Sequence, residues 1–247
     1  MFVDSHCHLT ELDNLGKAIQ DAAKSKVELM LSNSVDFPSC TANLQIQKDF
    51  PEAKALLGLH PSELLQLTEL QLTEAFDFIE LHLNEAVGIG ETGLDFNYAK
   101  TPEQRKLQLS AFNDFIELSL DFDKAICVHS RKARQEAIDA LLEAKAGKAL
   151  MHWFYGSDSQ LKTILDNGWF ISFGPSILYS RSLHSFLSKV PLASILLETD
   201  CPVAFDGKPS EPSWIPLVAR KVAELKKVSL QDVEETTTQN AFNLFKL

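Results

Sequence analysis

The chain has 247 residues, 45% of them hydrophobic, and 23 basic against 34 acidic side chains leave a net charge of −11. No stretch approaches the ~18 uninterrupted apolar residues of a membrane span, and the first residues carry no charged leader with a cleavable apolar segment. A soluble cytoplasmic protein is expected, without the broad basic surface that wraps duplex DNA; Cys7, Cys40, Cys127 and Cys201, which make no CxxC spacing, are expected to be reduced thiols.

In chain order, eight short runs rich in apolar and β-branched residues read as strands: Met1–Leu9, Val27–Ser34, Ala53–Pro61, Ala86–Asp95, Ala125–Arg131, Ala149–Tyr155, Trp169–Ile177 and Ser194–Pro202. A helical pattern follows each. The clearest is Glu103–Phe122, where Leu107, Leu109, Phe112, Phe115, Ile116 and Leu120 return at helical spacing behind Thr101-Pro102, an N-cap with proline in the first turn. Ala137-Ile138-Leu141-Leu142, Leu161-Ile164-Leu165 and Leu217-Val218-Val222-Leu225 each paint one helix face. Alternation with near-continuous apolar strands predicts a parallel sheet, and eight units in ~250 residues predict a closed (β/α)8 TIM-type barrel. The competing open doubly wound sheet lacks its usual marks, a GxGxxG after the first strand or a Walker loop. Residues 1–247 read as one α/β domain, and Gly207-Lys208-Pro209-Ser210-Glu211-Pro212 as an active-site loop after the eighth strand.

His6 and His8 close the first strand, Glu91 lies near the end of the fourth, His129 ends the fifth, His152 falls late in the sixth and Asp200 ends the eighth. C-terminal strand ends meet at one mouth of a barrel, and alternate residues of a strand share a face, so His6 and His8 can address one ion. Imidazoles and carboxylates without thiolates suit Zn, Mn, Mg or a similar divalent ion, and several carboxylate oxygens can bridge two. A lone histidine such as His82 or His184 on a helix reads as surface or packing. HxH on an apolar strand has few other uses, and the further residues at matching strand ends set the bland reading aside.

Asp4-Ser5-His6-Cys7-His8-Leu9, Gly58-Leu59-His60-Pro61, Gly90-Glu91-Thr92-Gly93-Leu94-Asp95, Val128-His129-Ser130-Arg131, the stretch from His152, Ile171-Ser172-Phe173, Leu197-Glu198-Thr199-Asp200 and Asn240-Ala241-Phe242-Asn243-Leu244-Phe245 together resemble the TatD-type metal-dependent deoxyribonucleases of the amidohydrolase superfamily. The resemblance covers essentially the whole chain. It implies two divalent ions: His6 and His8 on one, Glu91 as the bridging carboxylate, His129 and His152 on the other side, and Asp200 as a ligand that also orients the attacking water. Related amidohydrolases bridge with a carboxylated lysine on the fourth strand, where this chain has Glu91. By the same resemblance His60, Arg131 and Asp95 stand in a second layer or face the phosphate, although His60 before a proline reads equally as a turn and Asp95 as a loop cap. Asp4 and Glu198 have inward parity below His6 and Asp200, and are expected to hydrogen-bond the metal histidines. The chain departs from the family pattern at Ala125, where a proline is usual, and at Ser210-Glu211-Pro212, which often reads Asn-Xaa-Pro in a loop that shapes the substrate pocket.

Two ions leave the mouth locally positive, so an anionic phosphodiester is drawn to an acidic protein. Asp200 and Glu91 are the catalytic carboxylates on this reading, with Asp200 accepting the water proton and Arg131 pairing with a phosphate oxygen. Phe96, Tyr98, Trp153, Tyr155 and Trp214 are the aromatic residues available to stack exposed bases. Trp214, in the loop after the eighth strand, is preferred; Trp153 has the opposite parity to His152 and is expected to face the helix layer. The expected substrate is DNA, single-stranded or at its ends. A small-molecule amidohydrolase or phosphoesterase using the same metals is the alternative, and a non-catalytic metal-binding interaction protein ranks third because Asp200 and every histidine are intact. No membrane and no obligate protein partner are expected.

Overall fold

Strand and helix alternate as the apolar pattern requires. In the computed structural model, which describes residues 1–247, eight parallel strands pair in chain order: β1 (Phe2–Cys7), β2 (Val27–Asn33), β3 (Ala53–Leu57), β4 (Gly88–Asp95), β5 (Ala125–Arg131), β6 (Ala149–Met151), β7 (Phe170–Phe173) and β8 (Ile195–Leu197). A short antiparallel hairpin, β9 (Ala204–Phe205) with β10 (Lys208–Pro209), follows β8. Around the sheet run α1 (Leu15–Lys24), α2 (Phe37–Asp49), α3 (Pro61–Leu64), α4 (Glu69–His82), α5 (Pro102–Asp121), α6 (Arg134–Glu143), α7 (Asp158–Asp166), α8 (Arg181–Lys189), α9 (Ile215–Lys226) and α10 (Leu230–Phe245). This is a single α/β domain with a nearly closed TIM-type barrel, and none of its helices is long and apolar enough to cross a membrane.

Local chemistry sets the element starts. Asp36, Thr68, Thr101, Ser157 and Ser229 each cap a helix in a reciprocal box with the third helical residue, which satisfies amides that would otherwise lack a partner. The third, sixth, seventh and eighth strands end earlier than their apolar runs suggest. The segments that leave them still bury apolar side chains, with Leu59, Phe154, Ile177 and Cys201 all inside, so hydrophobicity continues after the ladder stops.

A cluster of 54 buried apolar residues fills the layer between strands and helices. A smaller cluster of 10 lies on the barrel axis: Val3, Leu31, Leu56, Ala125, Cys127, Leu150 and Leu196 from the strands, with Ala241, Leu244 and Phe245 of α10 closing the floor. Asn240 fixes that helix by donating to the carbonyls of Leu192 (3.0 Å) and Ile195 (2.8 Å). The other end of the barrel is therefore the only open mouth on its axis. There β1 and β8 are joined by backbone bonds from Asp200 to the His6 carbonyl (2.9 Å) and from His8 to the Cys201 carbonyl (2.8 Å), and by Ser5 Oγ to the Leu197 carbonyl (2.8 Å). Beside them β4 and β5 crowd together. Gly93 has φ +136, and a Cβ there would sit 2.1 Å from the His129 carbonyl oxygen, so no larger residue fits opposite that histidine.

Candidate metal centre

The end of β1, the middle of β4 and the segment after β8 bring His6, His8, Glu91 and Asp200 together. His6 Nε2 and His8 Nε2 lie 3.2 Å apart, each 3.4–3.5 Å from Glu91 Oε2 and 3.3–3.4 Å from Asp200 Oδ1. Bonds of ~2.0–2.1 Å to a tetrahedral ion place neighbouring donors ~3.3–3.4 Å from one another, so these five separations match the edges of one coordination shell. Their outer atoms are engaged elsewhere. His8 Nδ1 faces the Asn33 carbonyl (3.1 Å), which can only accept, so Nδ1 carries a proton and Nε2 is the nitrogen turned inward. His6 Nδ1 meets Cys127 Sγ at 3.1 Å. Imidazole nitrogens and carboxylate oxygens thus converge, and that donor set suits a cation once the imidazoles give up their protons.

Glu91 Oε1 faces a second group. His129 Nδ1 is 2.6 Å away, His152 Nε2 3.7 Å and His60 Nε2 3.9 Å. His152 is oriented from behind by Glu198 Oε2 on its Nδ1 (2.8 Å), and its ring stacks on that of His6 with centroids 3.7 Å apart. His129 bridges two carboxylates, its Nε2 meeting Asp95 Oδ2 at 3.0 Å. The 2.6 Å contact to Glu91 is a direct hydrogen bond, closer than two ligands of one ion stand. The residues on this side fit an ion once His129 exchanges that bond.

The electrostatics point the same way. Burial opposes charge throughout, yet the surrounding imidazoles, His60 and His6 first, hold Glu91 well below the carboxylate range. His152, His6 and His8 do the same for Asp200. Burial likewise opposes the charged His129 ring, but Glu91 and Asp95 outweigh it and raise it to about 9. His60 goes the other way, lowered to about 4 by burial despite Glu91.

The remaining predicted residues divide. Glu198 backs His152 as expected, but Asp4 meets no imidazole: its oxygens take the Thr199 amide (3.0 Å), the Thr199 hydroxyl and the His6 amide (3.3 Å). It braces the end of β1 against the segment after β8, and burial pushes its carboxyl up to about 7. His60 both caps α3, through Nδ1 to the Ser62 amide (3.2 Å), and presents Nε2 to the site. Asp95 both accepts from the Asn97 amide (2.7 Å) and holds His129. Arg131 is exposed at the end of β5. Trp214 is half-buried on a 3-10 turn, Pro212–Trp214, packed against α1. Phe96 is covered by the Arg105 guanidinium, 4.5 Å from its ring. Trp153 does not face the helix layer. Strand parity ends with β6 at Met151, and Trp153, at φ +41, turns onto the hairpin after β8, its ring 5.4 Å from Phe205. Parity also gave no sign of the Asn33 carbonyl behind His8, because a backbone atom leaves no mark in the sequence. All four cysteines are free and buried.

A family model described as TatD related DNase matches residues 3–246. The metal-dependent hydrolase YabD of Bacillus subtilis is 30% identical over 100% of both chains. The human deoxyribonuclease TATDN3 is 33% identical over 98% of this chain and 94% of its own length. Among solved structures, the TatD homologue YjjV of Escherichia coli superposes with a TM-score of 0.90 at 25% identity, covering 100% of this chain and 98% of that one.

Proposed function

The chain belongs to the TatD-related DNase family of metal-dependent hydrolases, and from that premise we propose that it hydrolyses phosphodiester bonds of DNA in single strands or at ends. The observation that carries this reading is Glu91, one of whose oxygens faces His6 and His8 while the other faces His129, His152 and His60. His6, His8, Glu91 and Asp200 would hold one divalent ion, and Glu91, His129 and His152 a second, as Mg, Mn or Zn. Such ions, when bound, acidify water and offset charge on a phosphoryl oxygen.

The chain's own groups do the rest. Asp200 meets both imidazoles through Oδ1, which leaves Oδ2 to orient a water entering from the mouth and to take its proton. Because its carboxyl is held well below the usual range, it is ionised and ready as an acceptor at neutral pH. Glu198 fixes the tautomer of His152, and Asp95 fixes the ring of His129. Arg131 would pair with a non-bridging phosphate oxygen at the rim.

The test strips the protein with chelator, restores Mg, Mn or Zn singly, and follows 3′-labelled single-stranded DNA beside phosphoesters and amides. Metal-restored cleavage of DNA is the expected result. Turnover of a small phosphoester or amide with DNA left intact would assign the same centre to a small-molecule hydrolase.

A further inference from the structure

We propose that Trp153 is the platform on which an unpaired base stacks beside the phosphodiester to be cut, an inference that rests on the DNA reading above. Its amide donates to Ser172 Oγ (3.2 Å) at the end of β7, and its ring reaches Phe205 in β9. The backbone of Trp153 is thus tied to β7 just past the end of β6, and its indole reaches the hairpin after β8. Its centroid is 6.2 Å from that of His152, the preceding residue and proposed ligand. Phe205 is 8% exposed and Trp153 36% exposed, so the phenyl ring backs the indole while much of its surface stays in water. A bulky residue at positive φ is uncommon, and here that conformation holds a large apolar ring open at the rim rather than burying it.

The neighbouring groups supply the other half of a single-strand site. Arg131, Lys132 and Arg134 lie on the turn from β5 into α6, the strand beside β6. They form no ion pair with a carboxylate, although the chain carries a net charge of −11. The Arg134 guanidinium lies 6.0 Å from the ring of Tyr155, which is 41% exposed. Cations for the backbone beside an open aromatic face are how single strands are held without sequence preference. A duplex keeps its bases stacked on one another and offers the indole none, whereas a single strand or frayed end does.

The test uses the metal-loaded protein and single-stranded oligonucleotides carrying one abasic nucleotide at successive positions from the cut. For Trp153→Ala, KM for the intact oligonucleotide should rise roughly 10- to 100-fold while kcat moves less than about threefold, and Trp153→Phe should recover most of the loss. In the parent, the abasic nucleotide at one position should cost a similar factor, and at that position it should cost Trp153→Ala nothing further. A structural role would not produce that position-specific loss of additivity. No position effect in the parent overturns the proposal without any variant, as does an unchanged KM in Trp153→Ala or penalties that add at every position. A parent that cleaves no DNA overturns the DNA reading and this inference with it; a parent that cleaves DNA indifferently to Trp153 overturns this inference alone.

Discussion

Glu91 and Asp200 carry different burdens although both are buried carboxylates ringed by imidazoles. Glu91 spends both oxygens on histidines, one on each side, whereas Asp200 spends only Oδ1. Asp200→Asn keeps the shape and one ligating oxygen but removes the proton acceptor. Hydrolysis should fall by ~10²–10⁴, the usual worth of a general base, with metal content measured on the same sample; a variant that keeps its metal and its rate shows that another group is the base. His129 makes a separate prediction. With its pKa raised to about 9, it is protonated at neutral pH, and only the neutral ring can ligate. Ion uptake through His129 should therefore release a proton, and apparent affinity should climb as pH rises toward about 9. Calorimetry in two buffers of different ionisation enthalpy, run on the parent and on His129→Gln, reads this, and equal proton release in the two would remove His129 from the ligand set. The histidines and carboxylates that converge were visible in the sequence because each lies within one of the eight apolar runs, although Glu91 falls mid-way along β4 rather than near its end. Asp4 and Trp153 were misplaced because parity describes a strand, while Asp4 finds its partners in the segment after β8 and Trp153 lies where strand geometry has lapsed.

Eight strands and their order followed from the apolar pattern, and β5 matches its expected span of Ala125–Arg131 to the residue. The overlong runs elsewhere have a physical cause: Leu59, Phe154 and Ile177 are buried in the segments that follow their strands, and hydrophobicity alone does not distinguish a ladder from a packed turn. Nor does a helical pattern say which surface a helix covers. The motif Asn240–Phe245 is at the opposite end of the barrel from the chemistry, where Ala241, Leu244 and Phe245 shut the floor. Phe245→Ala should cost ~3–5 kcal/mol, the range for truncating a buried phenylalanine, as a lowered midpoint in urea unfolding. A loss under ~1 kcal/mol would mean that the floor repacks without it.

Ions held among β1, β4, β5, β6 and β8 would tie together parts of the barrel that otherwise meet only through their neighbours. Binding to the folded state alone stabilises by ~2.7 kcal/mol when the ion is at a hundredfold its dissociation constant. For a domain of this size, chelation should then lower Tm by about 5–10 °C, and readdition of the ion should restore it. A Tm indifferent to chelator would show that the cluster is held by its hydrogen bonds without an ion. The net charge of −11 is no obstacle to an anionic substrate if attraction is confined to the mouth, where the ions would add positive charge and Arg131, Lys132 and Arg134 already stand.

The seam between β1 and β8 is fastened at the mouth by the residues that bear the ligands: Asp200 bonds the His6 carbonyl, and His8 bonds the Cys201 carbonyl. His6 and His8 stand in the first strand of the barrel, and Asp200 comes only after all eight, past the end of β8. Loss of the segment after β8 would therefore leave most of the barrel in place while removing both the fourth donor and the bonds that aim the two histidines.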